Sequence, residues 1–298
     1  ENLPKIIHQS SATGMQAVPT TGLAQGFQYI EKLLSPQSQT PLNESDRESF
    51  RQIVADKPVV VCCFGDGSIT EGEVSEAFQF AALKQLPIIY LVEDNDWGIS
   101  VSSDEARSMN AYEFIAGFKG IERLQVDGSD FEASYACMGN AIHYVRENRK
   151  PILVHAKVPL LGHHTSGVRK EWYRGEEDLA KHAQDDPGPK LKAHLLSRGV
   201  SETELDQIES EEKDFIAREF ELAVGSPDPD PATVSQHVFA ENPIKEESGE
   251  RVPANGEKVV MVDAALHAIE ELMRKHPECL FYGQDVGRRI GGVFREAA

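Results

Sequence analysis

Residues 59–68 read Val59-Val60-Val61-Cys62-Cys63-Phe64-Gly65-Asp66-Gly67-Ser68, an apolar run that breaks on a Gly-Asp-Gly turn. A second apolar run, Pro87 to Val92, leads into Asp94-Asn95-Asp96-Trp97. Between them, Thr70 to Leu86 reads as one helix. Strand, helix and strand over this length predict a βαβ unit with parallel strands and a right-handed crossover. Asp66 and Asn95 then lie at the carboxyl ends of parallel strands, where open α/β sheets bind ligands. A carboxylate and an amide oxygen there are hard donors suited to Mg²⁺, which takes few protein ligands and completes its shell with phosphate oxygens and water.

The turn itself points to phosphate. Gly65 and Gly67 are expected to take positive φ and to let the backbone approach an anion. Thr70 and Glu73 have capping-box spacing, and a helix beginning there offers N–H groups and a positive dipole end. A lone Gly-Asp-Gly reads as an ordinary βαβ turn with a surface aspartate. The second strand, ending in Asn at this distance, shifts the reading to a Mg²⁺-diphosphate site. Two other phosphate motifs fail: Gly65-x-Gly67-x-x-Thr70 lacks the third small residue of a dinucleotide fingerprint, and no Gly-Lys-Ser/Thr exists for a P-loop.

The 298 residues allow one large domain or two ordinary ones. Hydrophobic content of 40% with 27% charged residues fits a globular fold. A formal net charge of −19 argues against nucleic acid and against an anionic membrane surface as partners. Cys62, Cys63, Cys137 and Cys279 show no metal-ligand spacing and read as packed thiols in a reducing, cytoplasmic compartment. No apolar run reaches transmembrane length, and no secretory signal pattern opens the sequence. The first residue is Glu1, and Ala298 follows the start of a new strand-and-loop pattern, so a fragment of a longer chain is expected.

Four zones follow. Residues 1–186 alternate strands and helices: a polar turn at His8 to Thr13, a helix from Gly22 to Leu33, an irregular insert from Ser35 to Ser49, then the βαβ unit. Ile121 to Val126 and Pro151 to His155 add strands around a helix from Phe131 to Glu147, the pattern of a doubly wound parallel α/β sheet. Residues 187–240 form a helical extension, in which Ser201-x-x-Glu204 is a capping box and Gly225 a stop. Residues 241–257 are polar and read as a linker. Residues 258–298 begin a second α/β domain: Ala265, Leu266, Ile269, Leu272 and Met273 share a helix face, and Cys279 to Tyr282 read as a short strand.

These residues resemble a family. Gly65-Asp66-Gly67 followed roughly thirty positions on by Asn95 is similar to the thiamine diphosphate motif. The text from Gly65 to Ser100 resembles the α subunit of a 2-oxo acid dehydrogenase E1 component, as do Val126-Asp127-Gly128-Ser129-Asp130, Gly162-His163-His164-Thr165-Ser166 and Tyr173-Arg174. The resemblance runs from about Ser10 to about Pro243, and the paired histidines lean toward the branched-chain type. The segment from Lys258, with Gly283-Gln284-Asp285-Val286-Gly287 and Gly291-Gly292-Val293-Phe294, resembles the start of the β subunit, which implies an α–β fusion.

The resemblance implies the thiamine diphosphate-binding fold and oxidative decarboxylation of a 2-oxo acid. It implies a lipoylated E2 acyltransferase as acyl acceptor and an α₂β₂-like self-association. It places Asp66 and Asn95 as side-chain ligands of Mg²⁺ and Trp97 as a carbonyl ligand. Gly65, Gly67 and Ser68 fall at the diphosphate, and Ser11 and Thr13 on positions that hold the aminopyrimidine. His164 falls beside the diphosphate in a catalytic role, and His163 next to it is a second catalytic candidate. An imidazole that titrates near neutrality suits proton transfer there. Branched-chain α subunits carry arginines where Glu93 and Leu160 stand, so this implied phosphate clamp lacks both. Thr165 takes the place of a regulatory serine without the acidic pair that follows it in mitochondrial relatives, so that regulation is not expected. Pyruvate and acetoin dehydrogenase E1 remain alternatives for the substrate. A Mg²⁺-dependent phosphohydrolase using Asp66 and a non-catalytic complex module remain alternatives of other classes.

Overall fold

The apolar alternation in residues 60–65 becomes an edge strand in the computed structural model, which describes residues 5–7, 11–236, 238–239, 246, 250, 255–283 and 286. Two compact units are present, Glu1–Val200 and Ser201–Ala298. The first opens with α1 (Ala17–Leu34), α2 (Glu44–Val54), β1 (Val60–Gly65), α3 (Gly72–Lys84) and β2 (Ile88–Asp94). A small hairpin, β3 (Trp97–Gly98) and β4 (Val101–Ser102), leads into the one-turn helices α4 (Ser103–Ala106) and α5 (Ala111–Phe114). Then come β5 (Glu122–Asp127), α6 (Phe131–Asn148), β6 (Ile152–Lys157), α7 (Glu176–Gln184) and α8 (Pro187–Ser197).

The main sheet has the order β1-β2-β6-β5, and every pairing in it is parallel. Central strands β2 and β6 are almost continuously buried because helices cover both faces. On one face Phe64, Tyr90 and Leu153 pack against Ala17 and Ala24 of α1, Val74 and Phe78 of α3, and Ala111 of α5. On the other, Ile89, Ile152 and Val154 meet Ala141 and Val145 of α6. The doubly wound α/β expectation holds in these elements. Cys62 lies in the first core, where burial pushes its thiol up to about 12, so it acts as a packed apolar side chain.

Several local expectations change. The second part of the expected irregular insert, residues 44–49, belongs to the helix α2, because Asn43 accepts a hydrogen bond from the Asp46 N–H and caps it. The Thr70–Glu73 capping box does not form. Residues Ser68–Thr70 make a 3-10 turn first, so Glu71 is the N-cap of α3 and the Thr70 hydroxyl donates back to the Gly67 carbonyl at 2.8 Å. Gly67 has φ −68°, and neither it nor Gly65 is among the glycines with positive φ. Cys279 to Tyr282 form no strand, since no partner strand pairs with them among the described residues. Helix α8 belongs to the first unit through Lys190, which donates to Ser129 at 2.7 Å, so that unit runs past residue 186 to Val200.

The second unit contains α9 (Glu202–Val224) and α10 (Met261–Lys275). Ser201 caps α9 by accepting from the Glu204 N–H at 3.2 Å. Gly225 is the C-cap, though in right-handed conformation at φ −76°. Helix α10 carries the predicted face of Ala265, Leu266, Ile269, Leu272 and Met273. His8, Ser10, His237, Gln284, Asp285, Gly287, residues 291–294 and most of 241–257 lie outside the described residues.

Candidate cofactor site

The strand ends bring the site together. β1 and β2 pair in the register Gly65 with Glu93, so Asp66 and Asp94 leave the sheet side by side and Asn95 follows. Asp66 and Asp94 are both buried. The Arg107 guanidinium donates to Asp66 Oδ2 at 2.7 Å and to Asp94 Oδ1 at 2.9 Å. On the far side of Asp94, His155 Nε2 lies 2.8 Å from Oδ2, and Lys157 donates to Oδ1 at 3.3 Å and also to Asp96. Burial alone would raise the Asp94 carboxyl, but the His155 hydrogen bond and the Lys157 and Arg107 charges outweigh it and hold the group below the carboxylate range. Asp94 is thus a fixed anion. The phosphohydrolase alternative needs a second working carboxylate, and the neighbouring one is already spent on three cationic or imidazole groups.

Asn95 accepts the Trp97 N–H on Oδ1 at 3.0 Å, an Asx turn that bends the chain into the β3–β4 hairpin. Trp97 therefore follows Asn95 around the rim of the strand ends. Its ring lies 5.7 Å from that of Tyr173 and 5.4 Å from the Arg174 guanidinium. Arg174, a buried residue, also donates to the Leu160 carbonyl at 2.8 Å and to Asp178 at 2.5 Å. Leu160 donates its N–H to His182 Nδ1 at 2.8 Å. Burial comes first, and Arg174 second, in pushing the His182 imidazole below its ordinary value, so it stays the neutral acceptor that this bond requires.

The turn carrying Ser11 and Thr13 comes up against the Gly-Asp-Gly turn. A Cβ on Gly14 would stand 2.9 Å from Glu71 Cβ and 3.3 Å from the Ser68 carbonyl, and Gly14 has φ +82°. Only glycine suits that contact and conformation. Ser11 and Thr13 are exposed beside it. Ser68 is buried and its hydroxyl donates to the Gly65 carbonyl at 2.7 Å, which leaves its N–H as the group for an anion. A Cβ on Gly65 or Gly67 would meet nothing within 4 Å, so open space stands over both glycines.

His163 and His164 lie on the exposed loop after β6 and differ from each other. His163 Nδ1 accepts the Lys170 N–H at 3.2 Å and is tied into the loop. His164 makes no hydrogen bond or ion pair among the described residues.

These donors fit Mg²⁺ and a diphosphate. Among the described residues no group of three or more His, Cys, Asp or Glu could hold a metal, and the oxygen groups at these neighbouring strand ends, besides Asp94, are the Asp66 carboxylate and the Asn95 amide. That sparse oxygen set is what Mg²⁺ takes when phosphate oxygens supply the remainder. Sequence reasoning gave no role in the site to Asp94, Arg107, His155, Lys157, Arg174 or His182. One signal was available: His155 interrupts the otherwise apolar run Ile152-Leu153-Val154, and a polar ring in a buried central strand demands a partner.

A family model described as "Dehydrogenase E1 component" matches residues 4–232. The pyruvate dehydrogenase E1 component subunit alpha of Rickettsia conorii is 34% identical over 183 residues, 59% of this chain and 55% of that protein. The 3-methyl-2-oxobutanoate dehydrogenase subunit alpha of Mycobacterium tuberculosis is 31% identical over 224 residues, 72% of this chain and 60% of that one. The chain spans about half the length of the curated relatives it matches. Among solved structures, transketolase from Campylobacter jejuni aligns with a TM-score of 0.40 at 21% identity, covering 59% of this chain and 26% of the other. No helix among the described residues is long and apolar enough to cross a membrane.

Proposed function

This chain belongs to the dehydrogenase E1 component family, and from that premise we propose that it is the α-type part of a 2-oxo acid dehydrogenase E1, fused to the start of a β-type part, using thiamine diphosphate and Mg²⁺. The observation that carries the reading is the pairing of a buried Asp66 with Asn95 at the ends of adjacent parallel strands, below an open glycine turn. Bound thiamine diphosphate supplies the electron sink that lets a 2-oxo acid lose CO₂.

The chain's own residues do the rest. Asp66, Asn95 and the Trp97 carbonyl would hold Mg²⁺. The N–H groups of Gly67 and Ser68 would bind the diphosphate, with Gly65 leaving room for it, while Ser11 and Thr13 would hold the aminopyrimidine. His164 is exposed and without a partner among the described residues, which suits a side chain that must turn to a ligand and move or hold a proton at its imidazole. His163, engaged by the Lys170 N–H, orients the loop rather than reacting. The acyl group passes to a lipoylated E2, and the working assembly pairs α-type with β-type parts.

For the substrate, the paired histidines favour a branched-chain 2-oxo acid. The pyruvate reading rests on a separate observation, the Rickettsia conorii relative and others with its description. A comparison of kcat/KM for 3-methyl-2-oxobutanoate and pyruvate in the assembled enzyme separates the two. His164→Ala in that enzyme should lower kcat by roughly 10²–10⁴-fold with the fold intact, and His163→Ala should be milder. Near-normal acyl transfer to lipoamide by the His164→Ala enzyme would remove the histidine from the mechanism.

A further inference from the structure

Arg107 bridges two carboxylates that are themselves almost inaccessible: the side chains of Arg107, Asp66 and Asp94 are 7%, 5% and 2% exposed. We propose that Arg107 is an internal counter-cation that holds Asp66 in the metal-free chain and must release it when a divalent cation binds. The inference rests on the metal reading of Asp66 above and adds to it the group that the metal displaces.

Two buried carboxylates leaving neighbouring strands need positive charge between them. Asp94 has His155 and Lys157 as well as Arg107, whereas among the described residues Arg107 is the one cation paired with Asp66. Withdrawing Arg107 therefore leaves Asp94 compensated and Asp66 bare, a position that a divalent cation can fill. Mg²⁺ lies about 2.1 Å from a carboxylate oxygen, and the guanidinium stands 2.7 Å from the same carboxylate. Like charges that close in a buried site repel strongly, and a guanidinium cannot shed its proton to relieve the conflict. Movement is the remaining route.

The local fold permits that movement. Arg107 caps the end of α4, whose start is fixed by the reciprocal Ser102–Glu105 box and by the Ser103 N–H donating to the Asp96 carbonyl at 2.8 Å. The Arg107 N–H donates to the Ser103 carbonyl at 3.0 Å. The backbone is thus held without any help from Asp66, and the long side chain can leave Asp66 while keeping its bond to Asp94.

The test is Mn²⁺ binding to the full chain in the presence of inorganic diphosphate, followed by electron paramagnetic resonance. Arg107→Met should bind Mn²⁺ at least about tenfold more tightly than the wild type. It should also melt lower without metal and recover when Mn²⁺ is added. Arg107→Lys keeps one charge but cannot fork across both carboxylates, so its affinity should fall between the two, and it carries the test if the methionine variant does not fold. Equal or weaker Mn²⁺ binding by both variants, with the wild type binding normally, overturns the counter-cation role and leaves the metal reading standing. Wild-type Mn²⁺ affinity that Asp66→Ala leaves unchanged overturns both.

Discussion

The strand-end cluster and the histidine loop serve the same proposed chemistry and are built in opposite ways. Asp66 and Asp94 are buried, and parallel pairing of β1 with β2 fixes where they emerge. His163 and His164 are exposed on a segment held mainly at its far end, where Arg174 binds the Leu160 carbonyl and lies over Trp97. A carboxylate that receives a metal gains from being pre-positioned. A group that moves a proton gains from being free to turn. The contrast therefore separates groups whose loss harms the fold from groups whose loss harms only the reaction.

The largest effect should come from Asp94. Its removal leaves Arg107, His155 and Lys157 crowded without their common anion. Breaking a buried pair from one side typically costs about 3–5 kcal/mol, so Asp94→Ala should lower the urea midpoint of the first unit sharply. A variant with wild-type stability would show that the cluster is not the structural half of the comparison. His164→Ala should change stability by less than about 0.5 kcal/mol, and a larger loss in the same urea titration would mean that the loop histidine packs after all.

The pH dependence sharpens the same division. The Asp94 carboxyl is lowered in the fold relative to about 3.9 in an unfolded chain. Its contribution is therefore complete above about pH 4 and disappears as pH falls through the folded value. His182 is also lowered, relative to about 6.5 unfolded, so its contribution is present above about pH 6.5 and declines as pH falls toward its folded value. Stability measured from pH 8 to 5 should drop slightly in the wild type, and that slope should flatten in His182→Asn. An unchanged slope would place the titrating group elsewhere. The smallest effect belongs to the second unit, where Ser201→Ala should cost α9 about 1 kcal/mol through its lost N-cap, readable as lower helicity by circular dichroism.

Legibility followed the range of the interaction. The helix start at Ser201 was readable because a capping hydroxyl acts within one turn. The Thr70–Glu73 pair had the same spacing and failed, because a 3-10 turn at Ser68–Thr70 delayed the helix to Gly72. Helix α2 was hidden in polar text: Asn43 and the acidic first turn mark its start, but its residues are exposed or only half-buried, and so carried little apolar signal. Asp66 and Asn95 were legible as strand-end residues, whereas Arg107 was not, because nothing local distinguishes it from any arginine after a short helix.

The sequence by itself determined the four strands of the main sheet, the crossover helices between them, the strand-end placement of Asp66 and Asn95 and the family, since each depends on residue type and spacing along the chain. Only the tertiary structure decided the strand order, which inserts β6 between β2 and β5. That order brings His155 and Lys157 to Asp94 across 61 and 63 positions of sequence. It also decided that Arg107 crosses 41 positions to reach Asp66. The physical reason is burial: charges removed from water must find each other in space, and no spacing along the chain records which distant partner the sheet delivers.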